Sequence, residues 1–132
     1  MALKLDITLT SPAGDAFSDA ISTTLTKSYA VGEANSVKKI YLAADTAKQL
    51  TSGSDAGPKL CIIKNVQDTA DTDYVKLHNT NTYDDDVNNV STLNTGETSV
   101  FLLNGKCDLY ATSVTAGYLE VMIFTLAGTD RA

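Results

Sequence analysis

The sequence predicts an all-β fold: a single-domain antiparallel β-sandwich, jelly-roll-like, of about eight strands. Three observations carry that expectation. Leu3, Leu5, Ile7 and Leu9 alternate with Lys4, Asp6, Thr8 and Thr10, the period of a strand with one face in a core. Further short apolar runs recur between clusters of Gly, Asn, Asp and Pro, with no regular interleaving of helical patterns. Eighteen threonines in 132 residues add to this, because a β-branched side chain fits a half-buried pleated surface better than a helix. At about 100 to 200 residues per domain, residues 1–132 form one domain.

The first strand, Leu3 to Leu9, ends at Ser11-Pro12-Ala13-Gly14-Asp15, where Pro lacks a ladder donor and Gly admits positive φ. Ile21, Thr23 and Leu25 alternate with Ser22, Thr24 and Thr26, and Tyr29 and Val31 continue the pattern, as one long strand or two short ones. Val37 to Leu42 reads as a strand, followed by a helical turn or two over 43–50; 14–20 is the other candidate helix. The Gly-, Ser- and Pro-containing stretch 51–58 is a loop. Lys59 to Asn65 is apolar on both faces at its centre, which places it inside a sheet. A shorter strand follows over Asp73 to Leu77, and 78–94 is a polar excursion or a crossing between sheets. Asn94-Thr95-Gly96 turns into a strand over Glu97 to Leu103. Asn104-Gly105 predicts a type I′ hairpin turn, with positive φ at both central residues. Strands over Leu109 to Thr112 and Tyr118 to Leu126 complete the set, and 127–132 reads as a loose tail. The connections at 51–58 and 78–94 are too long for an up-and-down barrel and suit Greek-key crossings.

Apolar residues make up 43% and charged residues 20%, a globular balance. The net charge of −6 repels phosphate backbones and anionic lipid, so neither nucleic acid nor a membrane is an expected partner. The ten Lys and Arg are scattered and form no basic stripe. The N-terminus has no continuous apolar stretch and reads as no signal peptide, and no run approaches the roughly 18 apolar residues of a membrane span. Use without secretion is the expectation. Cys61 and Cys107, both in predicted strands, are expected as buried thiols, a cross-strand disulfide being the alternative.

No catalytic set stands out, and the expectation is a non-enzyme without cofactor or metal. His78 is the sole histidine, at a strand end beside Asn79 and Thr80, and reads as a solvated loop residue. Ser99 and Ser113 lack a nucleophile-elbow pattern. Asp68, Asp71 and Asp73, and Asp84 to Asp86, are raw material for calcium but do not match an EF-hand loop, so solvated charge is the favoured reading. Gly53 and Gly57 lack the Lys-Ser/Thr of a phosphate loop. The six tyrosines are dispersed and read as core or interface anchors.

From residue 59 onward the order of features is suggestive: Leu-Cys-Ile-Ile-Lys-Asn65, a short strand ending at Leu77, Leu93-Asn-Thr-Gly-Glu97 leading into Phe101-Leu-Leu103, Leu109-Tyr-Ala111, and Gly117-Tyr-Leu-Glu-Val-Met-Ile-Phe124. This pattern resembles small structural proteins of tailed-bacteriophage virions. It covers about half the chain, and residues 1–50 fall outside it. The resemblance implies a virion protein assembled in the host cytoplasm: a capsid decoration or cement protein on the major capsid protein, or else a head-to-tail or tail accessory subunit. A homo-oligomer is expected with it, a trimer being favoured for three-fold capsid positions.

The residues themselves point the same way, to docking rather than chemistry. Leu3, Leu5, Ile7 and Leu9 form an edge that a neighbour's sheet can extend, within a possible docking region over 1–50. In the last strand Leu119, Val121 and Ile123 are expected to face the interior. Tyr118, Met122 and Phe124 then occupy an opposite face too apolar for free solvent. A different class of function, a carbohydrate-binding adhesin module, would build its site from loops 51–58 and 78–94.

Overall fold

The computed structural model describes residues 2–14, 19–31, 38–53, 57–67, 74–81 and 89–126. Ten strands and no helix occur among them. Two stand apart: β1 (Ala2–Ser11) and β2 (Ile21–Ala30) form a two-stranded antiparallel sheet, paired along all ten residues from Ala2↔Ala30 to Ser11↔Ile21. Ile21 to Tyr29 is thus one long strand. The other eight are β3 (Lys38–Leu42), β4 (Lys48–Thr51), β5 (Lys59–Asn65), β6 (Val75–His78), β7 (Asn89–Leu93), β8 (Thr98–Leu103), β9 (Leu109–Ser113) and β10 (Gly117–Thr125). They make two four-stranded antiparallel sheets, ordered β3-β10-β5-β8 and β4-β9-β6-β7. Of these eight, only β6 and β7 are neighbours both in the chain and in a sheet; every other connection from β3 onward crosses between sheets.

The β-sandwich follows from strand alternation. Leu42, Cys61, Ile63, Leu119 and Val121 face inward from one sheet and meet Val75, Leu77, Leu93, Leu109 and Ala111 of the other. Each large aliphatic side chain removed from water contributes roughly 1.5 to 3 kcal/mol. Ile123 packs against this cluster, so the expected interior set of the last strand holds.

Three expectations are corrected. The helical turns over 43–50 give way to a tight crossing and β4. Asp45, at φ 55°, donates its N–H to the Ser113 carbonyl at 2.9 Å, and Lys48 to Thr51 then pair with β9. The excursion over 78–94 ends in a further strand, β7, which pairs with β6. Partners confer both strands, since each has a single side chain at the core: Leu50 in β4 and Leu93 in β7. Asn104-Gly105 makes no I′ hairpin, because β8 and β9 lie in different sheets and neither residue has positive φ. The Cys107 N–H instead bonds the Asn104 carbonyl at 3.0 Å while Asn104 Oδ1 accepts the Lys106 N–H at 2.9 Å, an Asx-stabilised turn that carries the chain from sheet to sheet.

Of residues 1–50, β3 and β4 belong to the sandwich. The hairpin is what remains outside it. Val31 bridges to Leu126 just beyond β10, both residues being buried, and no strand of the two four-stranded sheets pairs with β1 or β2. The Asp68–Asp73 and Asp84–Asp86 groups, and the tail over 127–132, lie outside the described residues.

Candidate docking surfaces

The hairpin register sorts its side chains into two unlike faces. Leu3/Tyr29, Leu5/Lys27, Ile7/Leu25, Leu9/Thr23 and Ser11/Ile21 share one face; Lys4/Ser28, Asp6/Thr26, Thr8/Thr24 and Thr10/Ser22 share the other. The second face is polar from Lys4 to Thr10, with a Thr8–Thr24 hydroxyl contact at 3.1 Å and a solvent-exposed Lys4–Asp6 ion pair at 3.8 Å, a pair that adds little stability. The first is apolar apart from Lys27, whose ammonium lies 5.9 Å from the centre of the Tyr29 ring, and the small polar Thr23 and Ser11. Cover on this face fades toward the middle of the ribbon. Leu3, Leu5 and Tyr29 are half-buried, whereas Ile7, Leu9 and Leu25 are 42, 59 and 65% exposed. Of the predicted β1 interface residues, Ile7 and Leu9 are thus the open ones.

A second apolar face lies on the outside of the β3-β10-β5-β8 sheet. With Leu119 and Val121 inward, Tyr118, Glu120, Met122 and Phe124 point outward. Register places Leu60 between Phe124 and Leu102, and Ile62 between Met122 and Val100. Leu60 is covered, while Val100 and Leu102 stay exposed and the other three half-buried. Met122 and Phe124, expected on this face from the last strand alone, are joined there by Ile62, Val100 and Leu102. The sequence signal for the β8 pair is that β8 is apolar at both parities over 100–103. Beyond the charged row Lys39–Glu120–Lys64, Tyr118 and Tyr41 pair at a 5.4 Å centroid distance and 61°, each about half exposed. The tyrosines are therefore not all dispersed.

His78 is not a solvated loop residue. It is fully buried in β6, stacked on Tyr110 of β9 at 6.4 Å. A carbonyl only accepts, so the 2.8 Å contact to the Thr80 oxygen puts a proton on Nδ1, while Nε2 lies 3.2 Å from the Thr112 hydroxyl. Both ring nitrogens thus have a hydrogen-bond partner. Ser113 is buried and its hydroxyl donates to the Thr115 carbonyl at 2.8 Å. No group of three or more metal-ligating side chains occurs among the described residues.

Cys61 lies in β5 and is fully buried; Cys107 sits in the β8–β9 connection rather than in a strand, and both are free thiols. Burial pushes the Cys61 thiol from 9.0 up to about 12, against a smaller lowering by the Lys59 charge. The folded state therefore holds a proton that the unfolded chain releases above pH 9. The stability this represents is complete below pH 9 and is lost as pH rises toward 12, at up to about 1.4 kcal/mol per pH unit. Urea midpoints at pH 8 and 10.5 should fall more for the native chain than for Cys61→Val, which has no thiol to ionise. Equal falls would refute it.

Compared with protein-family models, with curated proteins and with solved structures, the chain matches none.

Proposed function

We propose that the chain is a structural subunit of a tailed-phage virion: a capsid decoration or cement protein that docks on the major capsid lattice as a symmetric homo-oligomer. The observation that carries the docking part of this reading is the hairpin. Twenty residues are invested in two fully paired strands that supply none of the sandwich's core cluster, and their apolar face is open at Ile7, Leu9 and Leu25. A two-stranded ribbon is marginal in water without a cover, so its natural state is against another protein. The virion part rests on the resemblance from residue 59 onward. The strand order also supports it, for we read two four-stranded sheets with cross-sheet connections as a jelly roll, an architecture common in capsid subunits. That architecture serves lectins as well, and the fold alone does not choose.

Lattice docking is tested by co-sedimenting the purified chain with empty heads built from the major capsid protein encoded nearest to it. The chain should travel with the heads, and Ile7→Asp with Leu25→Asp should abolish this by more than tenfold. Heads that sediment free of the unaltered chain would overturn the reading. The competing reading, a sugar-binding module, has the exposed Tyr41–Tyr118 pair behind it. A glycan array would favour it on finding a ligand whose binding disappears in Tyr118→Ala.

A further inference from the structure

We propose that two copies of the chain pair edge to edge through β8, antiparallel about a two-fold axis at Val100, and so join their four-stranded β3-β10-β5-β8 sheets into one. The sandwich has four edge strands, β3, β8, β4 and β7. An edge offers unpaired N–H and C=O groups to any other strand, and lysines, short length and bulges are the usual protections. Three of the four edges carry them. β3 opens with Lys38 and Lys39. β4 has only four residues, Lys48 among them, and an irregular register at Gln49 and Thr51. β7 skips Val90 in its register with β6, and its own Asn89 Oδ1 accepts the Ser91 N–H at 3.2 Å. β8 has none of these: its six residues hold no charge and no Pro, and they pair with β5 without a break.

One hydrogen bond fixes the direction of the free groups. The Glu97 carbonyl accepts the Asn65 N–H at 3.0 Å, in the register that continues from Lys64↔Thr98, so Glu97 directs its backbone to β5. Along an antiparallel strand that direction alternates. Ser99, Phe101 and Leu103 therefore face β5, while Thr98, Val100 and Leu102 present N–H and C=O at the open edge. Among the described residues no strand takes these groups up. A second β8 does so completely. With Val100 opposite Val100 of the second copy, Thr98 lies opposite its Leu102 and Leu102 opposite its Thr98, so all three residues exchange both backbone bonds. An axis at Phe101 instead sets Thr98 against Asn104, past the end of β8. Val100 and Leu102, 37 and 47% exposed, gain cross-strand neighbours in the same step. This self-match commits the edge to a second copy. Charge does not oppose it, because β8 brings none to the seam and Lys59 and Lys64 sit one strand back on β5. The two Glu97 carboxylates, each accepting an Asn94 N–H at 2.6 Å, stand at opposite ends, roughly 20 Å apart.

The inference rests on reading the chain as a homo-oligomer, but pairing is tested without a capsid, so it and lattice docking can fail separately. A seam of this length, about 20 Å, belongs with the smaller, reversible interfaces. In light scattering the mass of the unaltered chain should therefore rise from monomer toward dimer between about 10 μM and about 1 mM. Over the same range amide hydrogen exchange should slow about threefold or more at Thr98, Val100 and Leu102, and stay unchanged at Ser99, Phe101 and Leu103, which β5 already protects. Val100→Pro removes one donor from the open edge and leaves the β5 ladder whole, and Val100→Lys supplies the missing edge charge. Each should stay monomeric with the native circular dichroism. A monomeric mass for the unaltered chain at about 1 mM would overturn the proposal, as would a dimer in which Thr98, Val100 and Leu102 exchange as fast as in dilute solution. Protection of those amides that appears only on adding heads built from the major capsid protein would overturn it too, since the strand on this edge would then be the capsid's.

Discussion

Replacing Asn65 with Leu is expected to destabilise the chain by about 3 to 5 kcal/mol, more than a surface substitution on either docking face. Asn65 ends β5 with no exposed surface. Its Nδ2 donates to the Leu93 carbonyl at 3.0 Å, and its Oδ1 accepts the Gln67 N–H at 3.0 Å. Its backbone donates to the Glu97 carbonyl at 3.0 Å and accepts from the Gly96 N–H at 2.8 Å. One residue thereby fixes the departure of the chain from β5 and the β7–β8 crossing. Leu fills a similar volume but leaves a buried carbonyl and a buried N–H unpaired, each worth about 1 to 3 kcal/mol. Asn65→Asp should also be costly, since it keeps the acceptor but loses the donor and adds a buried charge. Urea denaturation measures both. A loss below about 1 kcal/mol for Asn65→Leu would show that water replaces the amide, contrary to the closed network described above.

What could be read from the sequence divides along the same line between local pattern and long-range partner. β1, β5, β8 and β10 announce themselves because their own residues alternate or run apolar, and the inward set Leu119, Val121 and Ile123 follows from period alone. β4 and β7 do not, because Lys48-Gln-Leu-Thr51 and Asn89-Val-Ser-Thr-Leu93 become strands only beside β9 and β6. The docking faces behave likewise. The Leu3–Leu9 row is legible within one strand, but its continuation through Leu25 and Tyr29 depends on the register with β2. The patch around Leu60 needs three strands to be ordered side by side before Ile62, Val100 and Met122 become neighbours. His78 obeys the same rule: its surroundings include Thr112 and Tyr110 from β9, more than 30 positions away in the chain.

Asn104-Gly105 is the instructive failure, and it supplies the second large effect. Asn-Gly usually signals positive φ, and on that reading Asn would serve at either position. Gly105 has no positive φ; it is glycine because a Cβ there would lie 2.6 Å from both the carbonyl carbon and the oxygen of Gly57, and 3.1 Å from Pro58 N. Those are backbone atoms, with no flexible side chain to yield, so any substitution forces the two connections apart. Gly96 is the opposite case: φ is +82° and a Cβ would meet nothing within 4 Å, so conformation alone selects it. Gly105→Asn is therefore expected to cost about 3 kcal/mol or more through overpacking, while Gly96→Asn, a residue that tolerates the left-handed region, should cost under about 1 kcal/mol. Thermal and urea melts of the two variants decide the matter. If Gly105→Asn melted with the native chain and Gly96→Asn did not, the turn would be selected by φ, and the close approach of Gly105 to the Gly57 and Pro58 backbone would not be what fixes the crossing from β8 to β9.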